Sequence, residues 1–200
     1  MMKTGIILLA AGAGKRFGGN KLMAEIEGKA LYHTALEKLE KIQTGGAKVV
    51  VTGNTTIAEK AIKCGMEVVM NDAPELGISR SIRLGIEKLE HQDGDVDSVM
   101  FMVCDQPWLR LATLEKMVYS YDGGILMLAC QGQQGNPVIF ENKYFKELKN
   151  LSGDLGGRQV ITRHRDALAF FETKIPEELW DIDTRDDLKK EDKRLRDGQD

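Results

Sequence analysis

The sequence has 200 residues, of which 42% are hydrophobic and 30% charged, and its formal net charge is −3. These values are typical of a globular protein of about one large domain, and the acidic balance argues against a nucleic-acid partner. The apolar run at residues 5–11 is too short to cross a membrane or to form a signal peptide. Three widely spaced cysteines suit reducing conditions, so we expect a cytoplasmic protein with no membrane partner.

Short apolar runs alternate along the chain with segments whose apolar residues recur at helical spacing. In chain order, the pattern predicts strands at residues 6–10, 48–52, 66–70, 98–103, 124–130 and 137–140. It predicts helices at residues 31–39, 57–63, 78–89 and 111–121, and a further helix after 137–140. Because parallel strands need crossover connections, this alternation predicts an α/β fold with a mostly parallel sheet and helices on both faces. We predict one domain over residues 1–188 and a charged tail over 189–200.

A glycine-rich loop at residues 12–19 directly follows the first predicted strand. Its glycines do not have the spacing of a dinucleotide-binding loop, and it lacks the Gly-Lys-Ser/Thr of a P-loop. Glycines nevertheless let backbone N–H groups approach a phosphate. Lys15, Arg16 and Lys21 add three positive charges, which suit a triphosphate. The loop therefore indicates a triphosphate site, the alternative being a solvated loop without a ligand.

A carboxylate, Asp105, follows the most apolar strand and precedes Pro107. In open parallel sheets ligands bind outside the carboxyl ends of the strands, so Asp105 is predicted to face the glycine-rich loop. A carboxylate repels a triphosphate unless a cation lies between them, and Mg²⁺ commonly binds one or two protein carboxylates together with phosphate oxygens. Asp105 is thus a candidate Mg²⁺ ligand, although an aspartate before a proline is also common in turns and helix caps.

Two further acids, Asp181 and Asp183, lie one residue apart in an extended stretch near the end of the chain. Side chains at this spacing in an extended segment point in the same direction, so the pair could bind a second face of the metal. Two exposed surface acids are the alternative. Thr184 and Asp187, which follow, have the spacing of a capping box and indicate the start of a helix.

Three weaker signals concern substrate binding. The segment from Gly77 to Ser81 opens a helix and could receive a ribose or a base edge. The turn at residues 153–158 could bind an acceptor, with Arg158 holding its phosphate. A second turn contains Asn136 before Pro137.

Six of these segments, in the same order, resemble the sugar-nucleotide transferase superfamily, and more closely its molybdenum cofactor cytidylyltransferase branch (MocA-like and MobA-like proteins). The motifs that carry the resemblance are Leu9-Ala10-Ala11-Gly12 through Arg16-Phe17-Gly18 with Lys21, Gly77-Ile78-Ser79-Arg80-Ser81-Ile82, Cys104-Asp105-Gln106-Pro107, Gly135-Asn136-Pro137-Val138, Gly153-Asp154-Leu155-Gly156-Gly157-Arg158 and Asp181-Ile182-Asp183-Thr184. They extend over nearly the whole chain.

The resemblance implies a three-layer α/β/α sandwich that uses Mg²⁺ and transfers CMP from CTP to molybdopterin-type cofactor. The nucleotide-binding residues that it implies are Ala10, Ala11, Gly12, Ala13, Gly14, Lys15, Arg16, Lys21, Gly77 and Ser81. The implied catalytic residues are Lys21, Arg16 and Asp105, the metal ligands Asp105 with Asp181 or Asp183 (Asp181 being favoured), and the acceptor-binding residues Asn136, Asp154, Gly156 and Arg158. Ala11 favours CTP, because guanylyl relatives usually carry glycine there. Gly14 departs from the family, which usually has a hydroxyl residue at this position.

Other functions remain compatible with the sequence. The same chemistry could use GTP or ATP, or an alditol, isoprenoid or sugar phosphate as the acceptor. A module that binds the nucleotide or cofactor without turnover and delivers it is a different class of function. In either class a molybdoenzyme that receives the product is a candidate partner.

Overall fold

The computed structural model describes residues 2–12 and 17–188. Its strands are β1 (Thr4–Ala10), β2 (Glu25–Ile26), β3 (Lys29–Ala30), β4 (Gly45–Thr52), β5 (Glu67–Met70), β6 (Ser98–Val103), β7 (Ile125–Cys130), β8 (Gln133–Glu141) and β9 (Leu168–Glu172). Its α-helices are α1 (Leu31–Lys41), α2 (Thr55–Lys63), α3 (Ile78–Gln92), α4 (Leu111–Ser120), α5 (Phe145–Lys149) and α6 (Arg158–Arg163). No helix in this part of the chain is both long and apolar enough to span a membrane.

The main sheet has the strand order β5-β4-β1-β6-β8-β7-β9. β1 pairs in parallel with both β4 and β6, β4 with β5, and β7 with β9. Only β8, among the described strands of this sheet, runs antiparallel to its neighbours. The sheet is therefore mostly parallel, as the alternation of strands and helices predicted.

Helices cover both faces of the sheet and form two apolar layers. One layer contains side chains of α1, α2 and α4, such as Leu36, Ile57 and Leu114. The other contains side chains of α3, α5 and α6, such as Ile86 and Leu148. Because successive residues of β1 point alternately into the two layers, its run of apolar residues is buried on both sides. The fold is the expected three-layer α/β/α sandwich.

Close contact between α3 and the sheet depends on a glycine. A Cβ atom at Gly85 would lie 2.7 Å from Cγ2 of Ile7 and 3.1 Å from Cγ2 of Val51. A side chain at this position would force the helix or the packed side chain of Ile7 to shift. Gly85 thus lets α3 pack directly on β1 and β4, which brings the first turn of this helix to the edge of the sheet where β1 ends.

Several elements differ from the sequence-based expectation. The strand predicted at residues 137–140 is the longer β8, and the edge strand β9 and the short hairpin of β2 and β3 were not predicted. β9 has the apolar sequence Leu-Ala-Phe-Phe but is largely exposed. It therefore lacks the long apolar run of a strand that is buried on both faces, from which other strands were predicted. β2 and β3 have two residues each, which is too short for an alternating pattern to register. The tail predicted at 189–200 lies outside the described residues.

Candidate active site

A cleft of about 350 Å³ opens at the carboxyl ends of β1 and β6. These neighbouring strands are parallel and pair Leu9 with Val103, so the chain leaves both strands at the same edge of the sheet. Ligands of open parallel sheets bind at such an edge. The described residues that line the cleft are Leu9, Ala11, Gly12, Lys21, Leu22, Pro74, Glu75, Gly77, Ile78, Ser81, Val103, Cys104, Asp105, Asp154 and Asp183.

Lys21 lies between two carboxylates in this cleft. Its Nζ donates to Oδ2 of Asp105 at 2.7 Å and to Oδ1 of Asp183 at 3.0 Å. Burial alone would lower the pKa of Lys21, but the two carboxylates outweigh burial and leave the pKa raised. Lys21 is 84 positions from Asp105 and 162 positions from Asp183 in the sequence, yet the three side chains meet in the cleft. The position of Asp105 after β6 predicted its meeting with Lys21.

Asp181 is placed differently from Asp183. It does not line the cleft, and the side chain of Gln106 interacts with its carboxyl group. The residue as a whole is exposed, yet its carboxyl group is crowded by surrounding atoms and by the charges of Asp105 and Asp183, which raise its pKa to about 6. Asp183 is the acid of the pair that lines the cleft and contacts Lys21. The charge of Asp105 also acts on Asp181, so which of the two acids binds the metal stays a prediction.

Backbone and ring contacts join the segments that carry these acids. The N–H of Ile182 donates to the carbonyl oxygen of Asp105 at 2.9 Å. Nearby, the rings of Trp108 and Trp180 meet edge to face, with their centroids 6.1 Å apart. The distance between Asp105 and Asp183 is therefore set by direct packing of the segment after β6 against the segment around Ile182.

The capping box predicted after this segment is confirmed. The N–H of Thr184 donates to Oδ2 of Asp187 at 2.7 Å, and the N–H of Asp187 donates back to Oγ1 of Thr184 at 3.2 Å. These reciprocal bonds satisfy backbone donors at the start of a helical turn. They fix the chain direction immediately after Asp183.

A partly buried lysine supports the loop after Asp105 from the side of α1. Nζ of Lys38 donates to the carbonyl oxygens of Gln106 at 3.2 Å and of Pro107 at 2.7 Å. Burial lowers the pKa of Lys38 to about 8, although the charge of Glu178 opposes this shift. No pattern in the sequence predicts this contact, since a lysine in an amphipathic helix is usually on the solvated face.

The first turn of α3 forms another wall of the cleft, and a buried asparagine positions its serine. Nδ2 of Asn71 donates to Oγ of Ser81 at 2.9 Å. Its Oδ1 accepts from Nε of Arg80 at 3.0 Å and from the N–H of Ala73 at 3.1 Å. Because Oγ of Ser81 accepts a hydrogen bond from Asn71, its own proton can be donated to a ligand in the cleft. Asn71 was not identified from the sequence, where it follows β5 as an ordinary polar loop residue.

The turn at residues 153–158 packs against the start of α3. Gly77 has φ +90°, and a Cβ atom there would lie 2.5 Å from the carbonyl oxygen of Gly153. The N–H of Ser79 donates to that oxygen at 3.2 Å, and the N–H of Ile78 donates to Oδ1 of Asp154 at 3.3 Å. Only a glycine at position 77 allows this approach, which brings Asp154 to the rim of the cleft.

The other residues expected to bind the acceptor lie farther from the cleft lining. Gly156 is buried next to Ile78, whereas Arg158 is exposed at the first residue of α6. Asn136 lies in β8, which pairs Val138 with Phe101 of β6, so it is near the carboxyl end of β6. These three residues and Asp154 remain predicted acceptor contacts, and Asp154 is the one of the four that lines the cleft.

The glycine-rich loop is described only in part. Ala11 and Gly12 line the cleft, and Ala10 is the buried last residue of β1. Ala13, Gly14, Lys15 and Arg16 lie outside the described residues. The predictions made for these four residues therefore remain predictions.

The charges of the cleft suit a divalent cation bound together with a ligand. Among the described lining residues, Glu75, Asp105, Asp154 and Asp183 are acidic and Lys21 is basic. Within the described ranges, no three acidic, histidine or cysteine side chains cluster closely enough to hold a metal by themselves. Two convergent carboxylates, with phosphate oxygens completing the shell, are however a usual donor set for Mg²⁺. The residues present therefore fit Mg²⁺ with a bound phosphate group.

Comparison with known proteins gives the following similarities. Residues 6–168 match the family model of the MobA-like NTP transferase domain. The purine catabolism protein PucB of Bacillus subtilis is 28% identical over 188 residues, which cover 89% of this chain and 90% of that protein. A probable molybdenum cofactor guanylyltransferase of Thermococcus gammatolerans is 36% identical over 81 residues, or 39% of this chain and 42% of that protein.

The fold is also similar to solved structures. The protein Rv0371c of Mycobacterium tuberculosis has a TM-score of 0.81 at 20% identity, over 96% of this chain and 98% of that one. Another structure of Rv0371c is a complex with manganese, with a TM-score of 0.75 over 95% of this chain and 97% of that one. At this identity the likeness concerns the fold.

Proposed function

The chain belongs to the family of MobA-like NTP transferases, and from this premise we propose that it transfers CMP from CTP to a molybdopterin-type acceptor. Its family makes it a nucleotidyltransferase that acts on a small molecule. The choice of CTP, the phosphorylated acceptor and Mg²⁺ as the metal is our proposal. Pyrophosphate is the second product.

One observation carries the proposal: a cation from the N-terminal part of the chain and two carboxylates from its middle and end meet in one cleft. Nζ of Lys21 lies within hydrogen-bonding distance of the carboxylates of both Asp105 and Asp183. Binding of a nucleotide alone would not need carboxylates beside a phosphate site, since they repel phosphates. The arrangement therefore supports turnover with a divalent cation rather than a binding module.

In the proposed reaction, a terminal phosphate oxygen of the acceptor attacks the α-phosphorus of the triphosphate in line. The bond from the α-phosphorus to the oxygen that bridges it to the β-phosphate breaks, and pyrophosphate leaves with that oxygen. The acceptor phosphate is already an anion at neutral pH, so no side chain has to remove a proton. The protein acts by orienting the two substrates and balancing their charges.

Each residue has a defined part in this mechanism. Asp105 and Asp183 would hold Mg²⁺, which supplies positive charge at the α-phosphoryl group when bound. Lys21 would stabilise the charge that develops on pyrophosphate, together with Arg16. Oγ of Ser81 would donate a hydrogen bond to the nucleoside.

The preference for CTP rests on Ala11, which lines the cleft and stands where guanylyl relatives usually have glycine. A second candidate is GTP, which is favoured by the similarity to a probable molybdenum cofactor guanylyltransferase. The same relative supports a molybdopterin-type acceptor. Both choices concern the substrates of one reaction, so a single assay can separate them.

The test is pyrophosphate release from CTP, GTP, ATP and UTP with Mg²⁺, in the presence and absence of molybdopterin. We expect the highest rate with CTP, and no release without the acceptor. Lys21→Met should reduce the rate strongly, whereas Lys29→Met, which removes a lysine that is paired with Glu37 outside the cleft, should not. Faster turnover with GTP would overturn the choice of base, and binding of a triphosphate without turnover on any phosphorylated acceptor would favour the binding module.

A further inference from the structure

A buried carboxylate, Glu178, connects two segments that carry candidate active-site acids. One segment is residues 105–113, which begins with Asp105, and the other is residues 178–183, which ends with Asp183. Glu178 is 0% exposed. Its Oε1 accepts from the N–H of Arg110 at 3.0 Å and from Oγ1 of Thr113 at 2.6 Å. Its Oε2 accepts from Oγ1 of Thr173. Glu178 lies outside the cleft lining and has no part in the reaction as described above.

The partners of Glu178 explain what it holds together. Arg110 precedes α4 and Thr113 lies in its first turn, at the end of the segment that begins with Asp105. Glu178 itself lies in the short 3₁₀ helix Pro176–Leu179, four residues before Ile182. Its carboxylate therefore joins one end of each acid-bearing segment, and the bond from Ile182 to Asp105 joins the other end.

Burying this carboxylate is costly unless its hydrogen bonds are made. An unpaired buried charge is strongly destabilising, and an apolar residue of similar size usually fills such a position without loss of stability. The start of a helix compensates in part, because its N–H groups favour a negative charge. The specific benefit of Glu178 over an apolar residue is that two directed hydrogen bonds, from Arg110 and Thr113, fix one register between the two segments, while Thr173 holds the second oxygen of the carboxylate.

We propose that Glu178 is a positioning residue, which sets the separation of Asp105 and Asp183 by locking residues 178–183 onto residues 105–113. This inference rests on the proposed function insofar as the two carboxylates bind a divalent cation. Loss of the Glu178 hydrogen bonds lets the two segments shift relative to each other while the sheet and helices stay intact. The metal affinity then falls, because the two carboxylates no longer converge.

The chain offers a direct report on this register. Its two tryptophans, Trp108 and Trp180, lie one on each segment and are in edge-to-face contact. Near-ultraviolet circular dichroism of tryptophan depends on the relative orientation of the two rings. This signal requires no metal, nucleotide or acceptor.

The experiment compares wild type with Glu178→Gln, which keeps the size of the side chain but replaces one acceptor oxygen by a donor. Ser98→Ala is the matched control, since it removes the buried contact of Ser98 Oγ with Thr4 Oγ1 (2.8 Å) at the opposite end of β6. Both variants lose buried hydrogen bonding and are expected to lower the melting temperature. Only Glu178→Gln should change the tryptophan signal and weaken Mn²⁺ binding, measured by electron paramagnetic resonance, by about tenfold or more.

Each outcome decides the proposal. An unchanged tryptophan signal in folded Glu178→Gln, or a changed signal with unaltered Mn²⁺ affinity, would overturn the positioning role. If Glu178→Gln does not fold, Thr113→Val removes one hydrogen bond from the other side and should give the same two changes at smaller size; if it gives neither, the proposal is wrong. Absence of Mn²⁺ binding to wild type would instead contradict the proposed function, and the tryptophan signal would still test the register.

Discussion

The two sides of the cleft are built differently. The acidic side contains Asp105 and Asp183. These acids are held by a backbone hydrogen bond, a pair of tryptophan rings and the buried carboxylate of Glu178. The other side, called the substrate side because the predicted acceptor contact Asp154 lies there, is the turn containing Asp154 and the start of α3. These two parts contact each other through long hydrogen bonds of 3.2 and 3.3 Å. Leu76 and Leu155 on this side are 56% and 65% exposed. Groups that hold a metal must stay fixed, whereas a surface that selects a substrate can adjust when the substrate binds.

The largest effect is expected at the acidic side. Asp105→Asn keeps the size of the side chain but removes the charge that would hold the metal, so turnover should fall by roughly a thousandfold, a loss of several kcal/mol of charge stabilisation. Pyrophosphate release measures the rate, and the melting temperature checks the fold. Asp95→Asn, at an 88% exposed side chain paired with Lys3, should leave the rate unchanged. Near-normal turnover in Asp105→Asn would show that Asp105 is not a metal ligand.

The next effect separates the two acids near the end of the chain. Asp183 contacts Lys21 in the cleft, whereas Asp181 lies outside the cleft lining and interacts with Gln106. Asp183→Asn should therefore reduce turnover by about a hundredfold, and Asp181→Asn by less than about tenfold, in the range known for ligands and their neighbours. The concentration of Mg²⁺ at half-maximal rate should rise more in Asp183→Asn. The reverse order of the two variants would restore Asp181 as the metal ligand.

A third prediction concerns the lysine that supports the acidic side. The pKa of Lys38 is about 8 in the folded protein against 10.5 in the unfolded chain. Between these values the unfolded chain binds a proton that the folded protein has lost, so the free energy of unfolding rises with pH in this window. Wild type should thus gain stability relative to Lys38→Met from pH 8 towards pH 10.5.

Urea unfolding at about pH 7.5 and about pH 9.5 measures this difference. The exposed Lys41 at the end of the same helix provides the control, because Lys41→Met should show no such dependence. A difference between wild type and Lys38→Met that stays constant with pH would show that Lys38 is not buried as described.

The smallest effect is expected on the substrate side. Asp154 is exposed at the rim of the cleft, so Asp154→Ala removes one polar contact of about 1 kcal/mol. The KM for the acceptor should rise by about three- to tenfold with little change in kcat. Asp166→Ala, at an exposed site outside the cleft, is the control. A loss of kcat as large as that of Asp183→Asn would mean that the two sides do not differ in the way described.

Much of the fold followed from local patterns. The strand over Ser98–Val103 was predicted at its observed bounds, because a strand buried on both faces is continuously apolar. β9 and the antiparallel direction of β8 could not be obtained in this way. An exposed edge strand has no burial pattern, and strand direction depends on the neighbours that a strand pairs with.

The candidate site divides in the same manner. Asp105 and Lys21 could be paired from the sequence, because parallel strands bring the residues that follow them to one edge of the sheet. The resemblance favoured Asp181 over Asp183, whereas the contact of Asp183 with Lys21 could not be obtained from the sequence, because it depends on how the two segments pack. Glu178 was not identified, because its partner Thr113 is 65 positions away.

The sequence by itself determined the class of fold, the edge of the sheet where the candidate site residues meet and the residue types that occur there. These properties follow from burial and from charge, which act over a few neighbouring residues. Only the tertiary structure decided which carboxylates converge and what holds them in register. Hydrogen bonds depend on distance and angle to within a fraction of an ångström, and the chain brings such partners together only when it is packed.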